Sequence, residues 1–128
     1  MPRSEGAMIR GVKLVSIPVR DQKRAIEFWT EKIGLRVMTD QPFDDNQRWV
    51  ELGAAGNSVG VVLFQMPGWD ERIGKFMNIT FYSEDVRKTY EELSGRGVEF
   101  VQPPKKESWG TSAVFKDQDG SQYVVSSR

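Results

Sequence analysis

Residues 76–126 read FMNITFYSEDVRKTYEELSGRGVEFVQPPKKESWGTSAVFKDQDGSQYVVS, and the order of patterns within them decides the fold. FMNITFY alternates apolar and polar side chains, the period of a strand with one buried face. Asp85 follows as a helix N-cap, Val86, Thr89, Tyr90 and Leu93 recur at helical spacing, and Gly97 stops the helix. VEFVQ, TSAVFK and SQYVVSS then read as three strands, the last two joined by the tight turn Asp117-Gln118-Asp119-Gly120. Working outward, the first half repeats this order. GVKLVSIPV (11–19) puts Val15, Ile17 and Val19 on one side of a strand and Leu14, Ser16 and Pro18 on the other. Asp21 caps a helix whose stripe is Ala25, Phe28, Trp29 and Ile33, and Gly34 ends it. LRVMT, RWVEL and SVGVVLFQ supply three more strands. The two capping aspartates are 64 residues apart and the two stop glycines 63, so the chain holds two copies of one β-α-β-β-β unit. The pattern predicts an α+β domain over residues 9–128 after a loose tail at 1–8. Module 1 spans about 11–66 and module 2 about 76–126, with a Pro- and Gly-bearing linker around 65–75.

Composition narrows the chemistry. At 128 residues the chain is one ordinary domain, and its 18 Lys plus Arg balance 18 Asp plus Glu, so no electrostatic field steers it toward nucleic acid. With neither His nor Cys, it cannot build a Ser-His-Asp triad, a Cys nucleophile, a zinc finger or a His metal site. Acid-base chemistry is left to Asp, Glu, Lys or Tyr. No stretch approaches the roughly 20 apolar residues of a membrane span, and the N-terminus has no signal-peptide core, so cytoplasmic residence is expected.

IPVRDQKRAIEFWTEKIGL in the first half, with DVRKTYEELSGRGVEFVQPP and WGTSAVFKDQDGSQYVV in the second, resembles the glyoxalase, bleomycin-resistance and extradiol-dioxygenase (vicinal oxygen chelate) superfamily. The resemblance covers residues 11–126 and is most specific where RGVEF, WGT and DxDG follow one another. It implies half-barrel sheets around a cavity with the helices outside, and commonly a homodimer. It also implies metal ligands on the first and last strand of each module, which fall here on Leu14, Val62, Asn78 and Val124. Three hydrocarbon side chains and one amide are not a donor set for a divalent ion. No cofactor is therefore expected. A relocated site would require Glu51 and a second carboxylate.

Strand alternation puts Val50 and Leu52 toward the helix, leaving Trp49 and Glu51 on the cavity side with Leu14, Ser16, Asn78, Thr80, Tyr82, Gln122 and Val124. Trp109, before a glycine in a loop, is placed at the pocket mouth. The candidate ligand-binding set is Trp49, Glu51, Asn78, Tyr82 and Trp109, the mixture of aromatic, amide, hydroxyl and carboxylate groups that small-molecule sites carry. Each has a structural counterpart: Trp49 a core ring, Asn78 a satisfied buried amide, Glu51 a solvated rim residue. Trp29, on the helix stripe, reads as core, and Trp69 pins the linker or lines an interface. Two functions follow. One is a metal-free protein that holds a small, partly aromatic or cationic molecule. The other is a lyase or another enzyme of the same superfamily, metal-free with Glu51 or Tyr82 moving protons, or with a relocated metal site. Binding is the preferred reading, because the sequence places no pair of catalytic groups together.

Overall fold

The computed structural model describes residues 8–54, 56 and 59–128. The expected tail at 1–8 thus lies outside the described residues except for Met8, which is almost wholly exposed, and so do residues 55, 57 and 58 between the third and fourth strands. Module 1 runs β1 (Leu14–Pro18), α1 (Gln22–Glu27, continued as a π-helical turn over Phe28–Lys32), β2 (Arg36–Pro42), β3 (Arg48–Gly53) and β4 (Gly60–Phe64). Module 2 runs β5 (Phe76–Tyr82), α2 (Val86–Gly95), β6 (Phe100–Glu107), β7 (Gly110–Lys116) and β8 (Gln122–Ser126). Each module is a four-stranded mixed sheet, ordered β1-β4-β3-β2 and β5-β8-β7-β6, with one parallel pair at β1/β4 or β5/β8. The duplication is complete, and neither sheet closes into a barrel.

The helices begin where their caps put them. Asp21 Oδ1 accepts from the Arg24 amide at 3.2 Å and Asp85 Oδ1 from the Lys88 amide at 3.1 Å, each bond worth about 1 kcal/mol of helix stability. Gly34 and Gly97 end them in the left-handed region, at φ 94° and 90°, where a Cβ would be strained. The last turn of the first helix is widened: the Ile33 amide donates to the Phe28 carbonyl and the Gly34 amide to that of Trp29. This five-residue spacing lets two adjacent large rings, Phe28 and Trp29, both enter the core.

That core is one body shared by both modules. Ile17, Val19, Val50, Leu52, Val61 and Leu63 come from the first sheet, Ala113, Phe115, Tyr123 and Val125 from the second. Trp29, fully buried, joins them. Its ring centroid lies 5.4 Å from that of Phe81, 6.1 Å from Phe115 and 5.0 Å from Tyr123, so a module 1 side chain makes most of its ring contacts with module 2. Leu93 is part of this cluster, and Val15, Ile79 and Phe81 pack against it.

The strands run past expectation at an edge of each sheet: LRVMT was expected to end at Thr39, and β2 continues to Pro42. VEFVQ was expected to end near Gln102, yet β6 continues through Pro103 and Pro104 to Glu107. It can do so because it is an edge strand, and its pairing with β7 shifts register between Gln102 and Lys105, where the prolines lack donors. In the linker, Ile73 is buried, and the Arg72 guanidinium lies 4.8 Å from the centroid of Trp69.

Candidate functional site

Pairing between strands defines a second face on the first sheet, opposite the core. Glu51 stands across from Val62, Ser16 across from Val62 on its other side, Leu14 across from Gly60, Thr39 across from Glu51 and Gln41 across from Trp49. Val50 and Leu52 are buried on the helix side, so Trp49 and Glu51 do lie on the other one. Both are half-buried. The Glu51 carboxylate rests over the bare backbone of Gly60, where a Cβ would run into Glu51 Oε2 and the carboxyl carbon. Among the described residues the Glu51 carboxylate has no hydrogen bond and no salt bridge.

Trp49 belongs to an aromatic group. Its ring stacks on Phe43 at 6.1 Å and meets Phe64 edge-on at 5.6 Å, while Phe43 and Phe64 are 4.9 Å apart. Beside it, where β3 and β4 diverge, two glutamine side chains replace the missing ladder bonds. The Gln22 amide donates to the carbonyls of Arg48 (2.7 Å) and Leu63 (2.9 Å) and accepts from the Arg48 amide (3.1 Å). The Gln47 amide donates to the Gln65 carbonyl (2.7 Å) and accepts from its amide (2.9 Å). Backbone groups left unpaired here would each cost about 1–3 kcal/mol, so these amides fix the flank on which Trp49 sits. Sequence reasoning missed Phe43, Phe64, Gln22 and Gln47. Phe64 alone had a usable signal, its period-two relation to Val62.

The second sheet carries Asn78, Thr80 and Tyr82 on its own outer face, all exposed. Asn78 occupies the left-handed region at φ 58°, where the β5/β8 pairing shifts between Phe76 and Thr80. It is therefore a bulge residue, a role that Asn tolerates and most side chains do not. The Arg128 guanidinium lies 5.2 Å from the Tyr82 ring centroid. Trp109, 58% exposed, forms the tip of the β6–β7 hairpin. Gly110 beside it has no room for a Cβ, which would sit 3.0 Å from the carbonyl oxygens of Ser127 and Arg128. Trp49 and Glu51 thus share one face, Asn78 and Tyr82 another, and Trp109 a hairpin tip. No hydrogen bond or ring contact joins the three places among the described residues.

Leu14 and Val62 lie on the first of these faces, and Val124 pairs with Thr80 on the second. Their hydrocarbon side chains with the single Asn78 amide do not fit a divalent ion. Among the described residues no three His, Cys, Asp or Glu side chains converge as a ligand group. The sequence pattern of the Glyoxalase/Bleomycin resistance protein/Dioxygenase superfamily matches residues 11–125, both modules from first strand to last. The chain belongs to that superfamily. YetH, an uncharacterized protein of Bacillus subtilis (strain 168), is 34% identical over 121 residues, covering 92% of this chain and 98% of its own. The crystal structure of UcmS2 superposes with a TM-score of 0.81 at 32% identity, covering 93% of this chain and 98% of that one. TnmS3, an antibiotic binding protein from Streptomyces sp. CB03234, superposes with a TM-score of 0.82 at 30% identity, covering 94% and 97%.

Two further features of this superfamily member compete for attention as sites. An apolar cleft of about 660 Å³ opens between the modules, lined by Ile33, Leu35, Val61, Phe81, Leu93 and Phe115. Of the sequence candidates only Tyr82 touches it; its apolar walls are extensions of the core, and Ser83, Thr89, Glu92 and Arg96 add polar groups to the lining. The other feature is buried Asp117, which accepts from the Tyr123 hydroxyl at 2.6 Å and from the Asp119 and Ser121 amides at 2.9 and 3.0 Å. Burial pushes its carboxyl above the usual range, against those three hydrogen bonds. Burial, and then the neighbouring Asp117 charge, push the Tyr123 hydroxyl upward too. The pair closes the DxDG hairpin and opens onto neither sheet's outer face, so its role is structural.

Proposed function

We propose that this protein binds a small organic molecule against the outer faces of its two sheets, without a metal, and that a second copy completes the site. What carries this reading is the face of β3 and β4: a half-buried tryptophan in a three-ring cluster beside a carboxylate with no partner among the described residues. Rings supply area for an aromatic ligand, and a few polar groups orient it. Trp49, Glu51, Asn78, Tyr82 and Trp109 are the proposed contacts. The antibiotic-binding TnmS3, alike in fold and 30% identical, supports the same class of function here. An enzymatic reading has less support, since Glu51 and Tyr82 stand on different sheets and form no acid–base pair within the chain.

A homodimer fits the same observations. β1 and β5 are sheet edges with unpaired backbone groups, and Phe76, Trp109 and Phe43 are more than half exposed. A twofold pairing of one copy's first sheet with the other's second would close both faces at once and bring Trp49 and Glu51 opposite Asn78 and Tyr82.

The test is titration with acridine, a neutral three-ring probe at pH 8, read by tryptophan quenching. Trp49→Ala together with Trp109→Ala is expected to weaken binding about tenfold or more, since each aromatic contact is worth about 0.5–1.5 kcal/mol beyond its area. Unchanged affinity in variants that fold normally contradicts the assignment of these faces. Sedimentation equilibrium checks the dimer, and a monomer mass at every concentration contradicts it.

A further inference from the structure

The outer face of the first sheet is uneven in charge. Its register-aligned members are Leu14, Ser16, Arg36, Thr39, Gln41, Trp49, Glu51, Gly60, Val62 and Phe64; the ionisable ones are Glu51 and, at the exposed edge opposite Gly53, Arg36, and no salt bridge joins the two among the described residues. The nearest charged pair on these strands, Arg48 with Asp40, belongs to the opposite side, because Asp40 pairs in register with the core residue Val50. A carboxylate that is half-buried, with apolar Val62 opposite and aromatic Trp49 two residues away on the same face, has lost part of its hydration and gained no donor among the described residues. Ordinarily such a group swings out to water or finds a cation. Glu51 instead lies flat across the strand pair, because position 60 is glycine. Any side chain there would collide with Oε2, Cδ and Cγ, all within 3.0 Å of the added Cβ. Gly60 has ordinary strand dihedrals and makes no turn, so the turn-forming freedom that usually explains a glycine is not in use.

Resting on the binding role proposed above, we infer that Glu51, held over Gly60 beside Trp49, selects ligands that carry a protonated amine or amidinium next to an aromatic ring, with Gly60 as the positioning residue. The ring stacks against the Trp49 group, and the cation reaches the carboxylate and satisfies it. Trp49 adds to the selection, since a ring face also attracts a cation. A neutral ligand of the same shape would use only the rings and leave Glu51 unpartnered, and an anionic one would be repelled.

The experiment compares three probes of one shape at pH 8: 9-aminoacridine (cationic), acridine (neutral) and acridine-9-carboxylate (anionic). Each is titrated into the wild type, Glu51→Gln, Gly60→Ala, Trp49→Ala and the surface control Glu91→Gln, with folding checked by circular dichroism. The wild type and Glu91→Gln are expected to bind the cation about tenfold more tightly than acridine, and the anion more weakly still. Glu51→Gln is expected to cut the cation's advantage over acridine from about tenfold to about threefold or less, the part that the Trp49 ring face supplies. Gly60→Ala is expected to lose the same selectivity by displacing the carboxylate, although every ionisable group remains. Trp49→Ala weakens both probes. If all three probes bind the wild type equally and Trp49→Ala abolishes them, the face binds organic molecules but ignores charge, and this inference falls while the binding role stands. If Glu51→Gln weakens self-association and leaves probe selectivity unchanged, the carboxylate serves a second copy and the inference is wrong. Failure of every probe to bind contradicts both.

Discussion

Replacing Trp29 with alanine tests whether the two modules are joined by one ring. The indole has no exposed surface, and four aromatic centroids lie 5.0–6.1 Å away, three of them in module 2. Deleting a fully buried tryptophan removes roughly 150–250 Å² of buried area, about 4–6 kcal/mol at 25 cal/mol per Å², an upper figure close to the roughly 3–5 kcal/mol typical of such truncations. For a domain of this size that is a large part of a net stability of about 5–15 kcal/mol. Trp29→Phe is expected to cost far less. It keeps an edge-on ring in the cluster and removes the indole Nε1–H, a buried donor without a hydrogen-bond acceptor among the described residues. Urea denaturation followed by far-ultraviolet circular dichroism supplies the free energies. The sharper readout is coupling: Trp29→Ala with Phe115→Ala should depart from additivity by about 1 kcal/mol or more, because the rings touch across the module boundary. A cost below about 1 kcal/mol for Trp29→Ala, or full additivity with Phe115→Ala, would refute the shared core.

Asp117→Asn should keep the hairpin, since an amide can accept from the same two backbone amides, and should alter pH dependence. The folded protein holds the Asp117 proton more tightly than the unfolded chain, so this group's contribution to stability declines as pH rises from the ordinary value of 3.8 through the raised native value. The wild type should therefore lose stability relative to Asp117→Asn across that interval and run parallel to it above; urea midpoints that stay parallel throughout refute the assignment. At Asn78, φ 58° makes Asn78→Gly nearly neutral and Asn78→Val costly by about 1–2 kcal/mol, and equal melting temperatures for the two variants would mean the bulge is absent. Gly110→Ala should destabilise the end of β7, where the new methyl would press on the carbonyls of Ser127 and Arg128, and unchanged thermal unfolding would contradict this packing.

The features legible in the sequence were those that depend on neighbours along the chain. The caps Asp21 and Asp85, the stop glycines Gly34 and Gly97, and the helix stripes each require only a few consecutive residues, and all appear as expected. Alternation likewise put Val50 and Leu52 inward and Trp49 and Glu51 outward. Features that depend on register between distant segments were not legible. Glu51 lying on Gly60 requires the β3–β4 pairing, and Gln22 bonding to Arg48 and Leu63 requires a helix start to reach a strand gap. The run through Pro103 and Pro104 was lost for another reason: local propensity ends the strand, and only its edge position lets it continue. Asn78 was legible as outward-facing and opaque as a bulge, because nothing local distinguishes an asparagine in a strand from one that breaks its register.

The central claim is that ligands meet the sheet faces opposite the core and not the apolar cleft between the modules. The four tryptophans make it directly measurable, since each indole N–H gives its own ¹⁵N–¹H signal, assignable by single substitution. Acridine titrated into the labelled protein should shift the Trp49 signal first, with Trp109 following it, and leave the buried Trp29 signal in place. Shifts confined to Trp29 and to the methyl groups of Ile33, Leu35 and Leu93, with Trp49 unmoved, would put the ligand in the cleft and contradict the account.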